Sequence, residues 1–106
     1  MRVTDTHVHI YSNDEIRYPM VAEPLRPPPG TGTVAHLRRE MADNGVQRVV
    51  AIHTSTAYCW DNRFLADSAT ANLPWMVGCC TLNPLDPASP DRLRDLVRHN
   101  NVRAMR

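Results

Sequence analysis

At 106 residues, 42% of them hydrophobic, the chain is long enough for one domain with a modest core and is not disordered by composition. A formal net charge of +1 without a basic cluster gives no reason to expect nucleic acid or an anionic membrane as a partner, and no apolar run approaches the ~20 residues of a membrane span. All 12 basic residues are Arg, which excludes a Schiff-base lysine within this segment; genomic base composition explains the bias more simply than function does.

Residues 2–10 read as a first strand. Strict alternation there would put Asp5, His7 and His9 on one face and Thr6, Val8 and Ile10 on the other. A long polar loop follows over 11–32, where "PLRPPPGTG" forbids regular structure. A loop of that length inside a compact domain is usually functional. Thr33 is expected to cap a helix running to Asn44, with Val34, Leu37 and Met41 as its apolar stripe and Gly45 as its stop. "VQRVVAIH", 46–53, is nearly continuous in apolar character, as parallel strands are. Asp61 is expected to cap a second helix to Asn72, with Phe64, Leu65, Ser68 and Ala69 facing inward. Residues 75–82 read as a third strand and "NPLDP" as a turn. Ser89, followed by Pro90, is expected to open a third helix with Leu93, Leu96 and Val97 inward, and 102–106 reads as a fourth strand.

Strands alternating with helices imply a parallel sheet, either doubly wound or a (β/α)8 barrel. No G-x-G-x-x-G follows the first strand, so nothing supports a dinucleotide site. A full barrel needs ~250 residues. The expectation is therefore a partial TIM-type barrel of about four βα units over 1–106, a fragment whose last residue falls inside a strand. The start shows no signal-peptide pattern, and the chain reads as cytoplasmic. Cys59, Cys79 and Cys80 are expected to be reduced. Neighbouring strand residues point to opposite faces, so Cys79 and Cys80 make a poor disulfide pair and read as small buried hydrophobes.

The chemistry concentrates in "TDTHVHI", 4–10. Two imidazoles two residues apart on one pleat can reach the same metal ion. Asp5, on the same face, could orient one of them from behind. The motif lies toward the C-terminal end of a first strand, where barrels keep their active sites. Here the sequence resembles a family. "DTHVHIY" is similar to the opening signature of the amidohydrolase superfamily. "GVQRVVAIHTSTAYCWDNRFLADSA", "WMVGCCTLNPLDP" and "VRAMR" resemble its amidohydrolase-related branch, which includes 2-pyrone-4,6-dicarboxylate hydrolase-like lactonases and aminocarboxymuconate-semialdehyde decarboxylase-like enzymes.

The resemblance implies that His7 and His9 bind a divalent metal, zinc being the usual one, and that activated water attacks the carbonyl of a lactone or similar cyclic ester or amide. It also implies further His ligands and an Asp from later strands, beyond Arg106. The family's catalytic residue is therefore not expected in this segment, which alone would be inactive. In the branch, the loop after the second strand reads Gln, two small residues, then an aromatic and Gly before "DN". His53 stands roughly at that Gln. His53 and Ser55 are candidates to hydrogen-bond a small carboxylate or lactone substrate. Arg103 and Arg106 resemble the R-G-x-R of the fourth strand; their opposite parity lets only one point inward, and Arg106 is the expected carboxylate clamp. Arg17 and Tyr18 are expected at the mouth, Tyr58 and Trp60 as packing residues. Two other readings stand beside the lactonase: a decarboxylase of the same branch, and a non-catalytic half-barrel that pairs with a second copy as a homo-oligomer because its sheet edges and inner face are open.

Overall fold

The computed structural model describes all 106 residues. Four strands form one parallel sheet in sequential order: β1 (Val3–Val8), β2 (Val46–Ile52), β3 (Met76–Cys80) and β4 (Val102–Met105). Between them lie α1 (Val34–Asn44), the short α2 (Ser55–Tyr58), α3 (Arg63–Ala71) and α4 (Ser89–His99). No helix is long and apolar enough to cross a membrane.

One core joins α1, α3 and α4 to a single face of the sheet. Met41 of α1, Leu65 and Ala69 of α3, and the partly buried Leu93 and Leu96 of α4 pack on Val49, Ala51, Met76, Cys80 and Val102. Right-handed crossovers between strands laid down in simple order place every helix on that face. A doubly wound sheet would reverse its order and cover both faces. The molecule is thus a curved segment of an α/β barrel, about half a shell, with extents of 42 × 30 × 19 Å. At Gly78 a Cβ would sit 3.2 Å from Val102 Cγ2 and 3.4 Å from Leu65 Cγ, so the small residue lets α3 approach β3 closely.

The helix ends follow local chemistry. Thr33 Oγ1 accepts from the His36 amide at 3.1 Å, and Gly45 closes α1 in the left-handed region at φ 69°, both as expected from sequence. Two expected caps shift by one residue. Asn62, not Asp61, precedes α3, although Asp61 Oδ1 accepts from the Arg63 amide at 3.0 Å. Ala88, not Ser89, precedes α4; Ser89 lies in the first turn and its hydroxyl donates to the Asn83 carbonyl at 2.6 Å. Arg103 donates to the Val97 and Asn100 carbonyls at 3.0 and 3.4 Å, closing the C-terminal end of α4. The helix α2 has no counterpart in the sequence reading, because four residues are too few to show a period.

The first strand departs most from expectation. It stops at Val8 rather than residue 10, and its alternation breaks. Asp5 pairs with Val49 and Val8 with Ala51, so Thr6 and His7 together oppose one residue of β2. This is a β-bulge, and the Asp5 carboxylate caps it by accepting from the His7 amide at 3.0 Å. Asp5 and Val8 consequently share the α1 side, beside Leu37 and Met41.

Residues 11–32 form a closed loop. The Tyr11 amide donates to the Gly32 carbonyl at 2.8 Å across its neck, and the Gly32 amide donates to His36 Nδ1 at 3.0 Å. The loop lies over α2 through Val21 N to Ala57 O (2.8 Å) and a small second core of Tyr18, Ala57 and Tyr58.

Candidate metal and substrate site

The C-terminal ends of the four strands carry His9, Thr81 and Arg106 onto one rim, with His53 buried just beneath it. The bulge sends His7 and His9 to the same neighbourhood, with ring centroids 5.0 Å apart and planes at 88°. The Nδ1 of His9 lies 2.9 Å from the Ile52 carbonyl. A carbonyl only accepts, so Nδ1 carries a proton; in the neutral ring this leaves the lone pair on Nε2, the arrangement of a metal-ligating histidine. Two imidazoles sharing a tetrahedral zinc at about 2.0–2.1 Å per Zn–N bond place their centroids about 5 Å apart. The pair therefore fits two positions of one ion. No group of three His, Cys, Asp or Glu gathers in these residues, so the pair alone does not make a complete ligand set.

Asp5, expected to orient an imidazole, touches neither ring. Its carboxylate is spent on the His7 amide, and the bulge has moved it to the helix face. It shapes the histidine pair only through the backbone.

His53 is buried, 2% exposed, and its Nε2 lies 2.7 Å from the Cys59 carbonyl, so this ring carries its proton on Nε2. Burial pushes its pKa below the usual value; the Cys59 carbonyl and Asp61 pull it back up, and Arg106 and His9 push it further down. A neutral His53 braces the segment 53–59 from beneath the rim. Cys59 closes that segment at φ 53° and ψ −118°, a conformation normally left to glycine. Asn62, just beyond that segment, clips the chain to the residue after β3: Nδ2 donates to the Thr81 carbonyl at 2.9 Å and Oδ1 accepts from the Thr81 amide at 3.0 Å. Sequence reasoning missed this clip, since only the folded chain brings residues 62 and 81 together.

Beside His9 a cleft of about 270 Å³ is lined by Tyr11, Leu25, Thr54, Ser55, Thr56 and Arg106. Its electrostatics come from Arg106, whose charge also lowers the Cys79 pKa against the rise that burial causes. The Arg106 amide donates to the Cys80 carbonyl at 2.8 Å, so its backbone still belongs to the sheet. A second irregularity in β4 separates Arg103 from Arg106: Val102 pairs with Gly78 but Ala104 with Cys79. Arg103 goes to the end of α4 and Arg106 lines the cleft; with the register broken between them, strict parity does not set this division.

Tyr18 is not at the mouth. It is buried, its hydroxyl donates to Asp67 at 2.5 Å, and Arg17 stacks on its ring at 5.1 Å on the outside of the loop. Tyr11 and Leu25 stand in the cleft instead. Tyr58 packs as expected, and its hydroxyl accepts from the Ser12 amide at 2.8 Å. Trp60, 45% exposed, lines a groove between α3 and α4 whose charges are largely matched, Asp61 with Arg63 and Arg92 with Asp86. Cys79 and Cys80 are buried thiols and Cys59 an exposed one.

No known family model matches the sequence, and no curated protein does. Solved structures do. A protein of Acinetobacter baumannii, provisionally named a 2-pyrone-4,6-dicarboxylic acid hydrolase and solved with citric acid bound, superposes with a TM-score of 0.76 at 14% identity. It is matched over 99% of this chain and 37% of its own length. An apo structure from Agrobacterium tumefaciens gives 0.73 at 18% identity over 99% of this chain and 36% of that one. A Pseudomonas putida protein, with the same provisional name as the first, gives 0.68 at 18% over 98% and 36%. The chain thus spans about a third of the length of these barrel-like structures, and the likeness establishes a partial α/β barrel fold.

Proposed function

We propose that this chain carries the first part of the active site of a metal-dependent hydrolase that opens a lactone or similar cyclic ester or amide bearing a carboxylate. The observation that carries this reading is the His7–His9 pair: two imidazoles at ion-sharing separation, one with its Nδ1 proton held by a carbonyl, on the C-terminal rim of a parallel sheet beside a cleft that contains Arg106. The provisional names of two structural neighbours, one of them holding a polycarboxylate, agree with it.

His7 and His9 would hold the metal, zinc by ligand chemistry; the remaining ligands and the catalytic acid–base would come from barrel strands this chain does not span. When bound, the ion supplies a Lewis acid for the carbonyl oxygen and water activated near neutral pH. Arg106 binds the substrate carboxylate, for which its guanidinium fork is suited. The Ser55 hydroxyl, exposed on the same wall, donates to a substrate oxygen. His53 stays neutral and holds the 53–59 rim in shape.

Zinc titration of the chelator-stripped full-length protein tests the reading, alongside hydrolysis of 2-pyrone carboxylates. His7→Ala and His9→Ala are each expected to weaken zinc binding by more than about a hundredfold, beyond what loss of a merely supporting residue costs, and to abolish hydrolysis. Zinc affinity unchanged in both variants would end the proposal.

A further inference from the structure

Leu25 is 73% exposed, and its backbone is tied to the rim segment after β2. Its amide donates to the Thr56 carbonyl at 3.3 Å. Pro24 precedes it, and Pro27, Pro28 and Pro29 follow closely, each with φ fixed by its ring. Between them, the Arg26 guanidinium is only 12% exposed, paired with Glu15 and set 3.2 Å from the Met20 sulfur. The loop neck is closed by Tyr11 and Gly32. A single exposed Leu on a surface needs no explanation. This one is held by a stiffened loop on the wall of the cleft that also contains His9 and Arg106.

We infer that Leu25, backed by Tyr11, is a specificity-determining residue: it contacts an uncharged hydrocarbon flank of the substrate, on the side away from the carboxylate held by Arg106. The inference rests on the hydrolase reading and sharpens it, since it names the substrate as a cyclic ester with one charged end and one apolar edge. A substrate presenting a second carboxylate to Leu25 would have to strip that group of water without a partner, which is unfavourable. An alkyl group there gains burial instead, about fourfold in affinity per methylene.

The test uses 2-pyrone-6-carboxylate with hydrogen, methyl, ethyl or carboxylate on the ring carbon opposite, titrated by calorimetry into the full-length protein. Wild type is expected to gain about fourfold per added carbon and to bind the dicarboxylate worst. Leu25→Ala should flatten the alkyl gain, and Leu25→Arg should make the dicarboxylate the best ligand, both with the melting temperature unchanged because the side chain is exposed. If all compounds bind Arg106-dependently but the alkyl ranking is the same in Leu25→Ala, the Leu25 assignment is wrong and the hydrolase reading survives. If none binds, the hydrolase reading fails and Leu25's role goes with it.

Discussion

Gly32 and Gly45 have nearly the same φ, 68° and 69°, in different surroundings, and alanine at each separates conformational strain from steric conflict. At Gly45 an added Cβ meets nothing within 4 Å. Gly45→Ala therefore costs only the left-handed conformation, about 1–2 kcal/mol, reduced by the ~0.4–1 kcal/mol that alanine removes from the unfolded chain's entropy. The expected net loss is about 1 kcal/mol. At Gly32 the same Cβ would lie 2.9 Å from Pro27 Cγ and 2.9 Å from Tyr11 Cδ2, so one of the two rings must shift. Overpacking of that kind adds ~1–3 kcal/mol, so Gly32→Ala should lose about 2–4 kcal/mol. Urea unfolding with unchanged slope measures both. Because Gly32 closes the loop that carries Tyr11 and Leu25, only its variant should also weaken binding of 2-pyrone carboxylates. Equal destabilisation at the two glycines would refute the steric argument, and full ligand affinity in folded Gly32→Ala would refute the claim that the neck holds the cleft wall.

The two candidate metal histidines should differ when no metal is present. His9→Ala strands the Ile52 carbonyl and is expected to cost about 1 kcal/mol, whereas His7→Ala, with no such bond, should leave the melting temperature of metal-free protein nearly unchanged; equal losses would contradict the assigned tautomer. Cys59→Gly should stabilise the protein by about 1 kcal/mol, since a non-glycine residue at φ 53° and ψ −118° is strained; a lower urea midpoint would mean that the thiol packs more favourably than its exposure indicates. His53 sets a pH dependence. Its folded pKa lies below the ordinary value of 6.5, so the unfolded chain binds the proton first as pH falls. Stability should be full above that value and decline as the pH drops below 6.5 toward the folded pKa. In His53→Gln that part of the slope should vanish, and a slope that persists would assign it to another group.

Much of this protein was legible from residue order alone. The apolar run of 46–53, the Thr33 cap and the Gly45 stop specify their elements by local physics, since capping and left-handed backbone act within a few residues. The periods of the other strands and of α3 and α4 located them to within one or two positions, with caps at Asn62 and Ala88 rather than Asp61 and Ser89, while the four-residue α2 showed no period. The strain at Cys59, whose backbone has a conformation glycine would supply, carried no signal in the residue order. Asp5 was misplaced because alternation assumes an unbroken pleat, and a bulge of one residue reverses every side chain beyond it. Tyr18 was misplaced for a related reason: in a 22-residue loop without periodicity, only the closure at Tyr11 and Gly32 decides which side chains face the cleft.

The sequence by itself determined the parallel βα alternation, the burial of Cys79 and Cys80, and the histidine pair as the place to look for chemistry. Only the tertiary structure decided between a doubly wound sheet and a barrel segment, because the side on which each helix lies depends on strand order and not on any local pattern. It alone brought His9, Ser55, Leu25 and Arg106 to one cleft, since hydrogen-bond register between strands distant in sequence sets which residues share a rim.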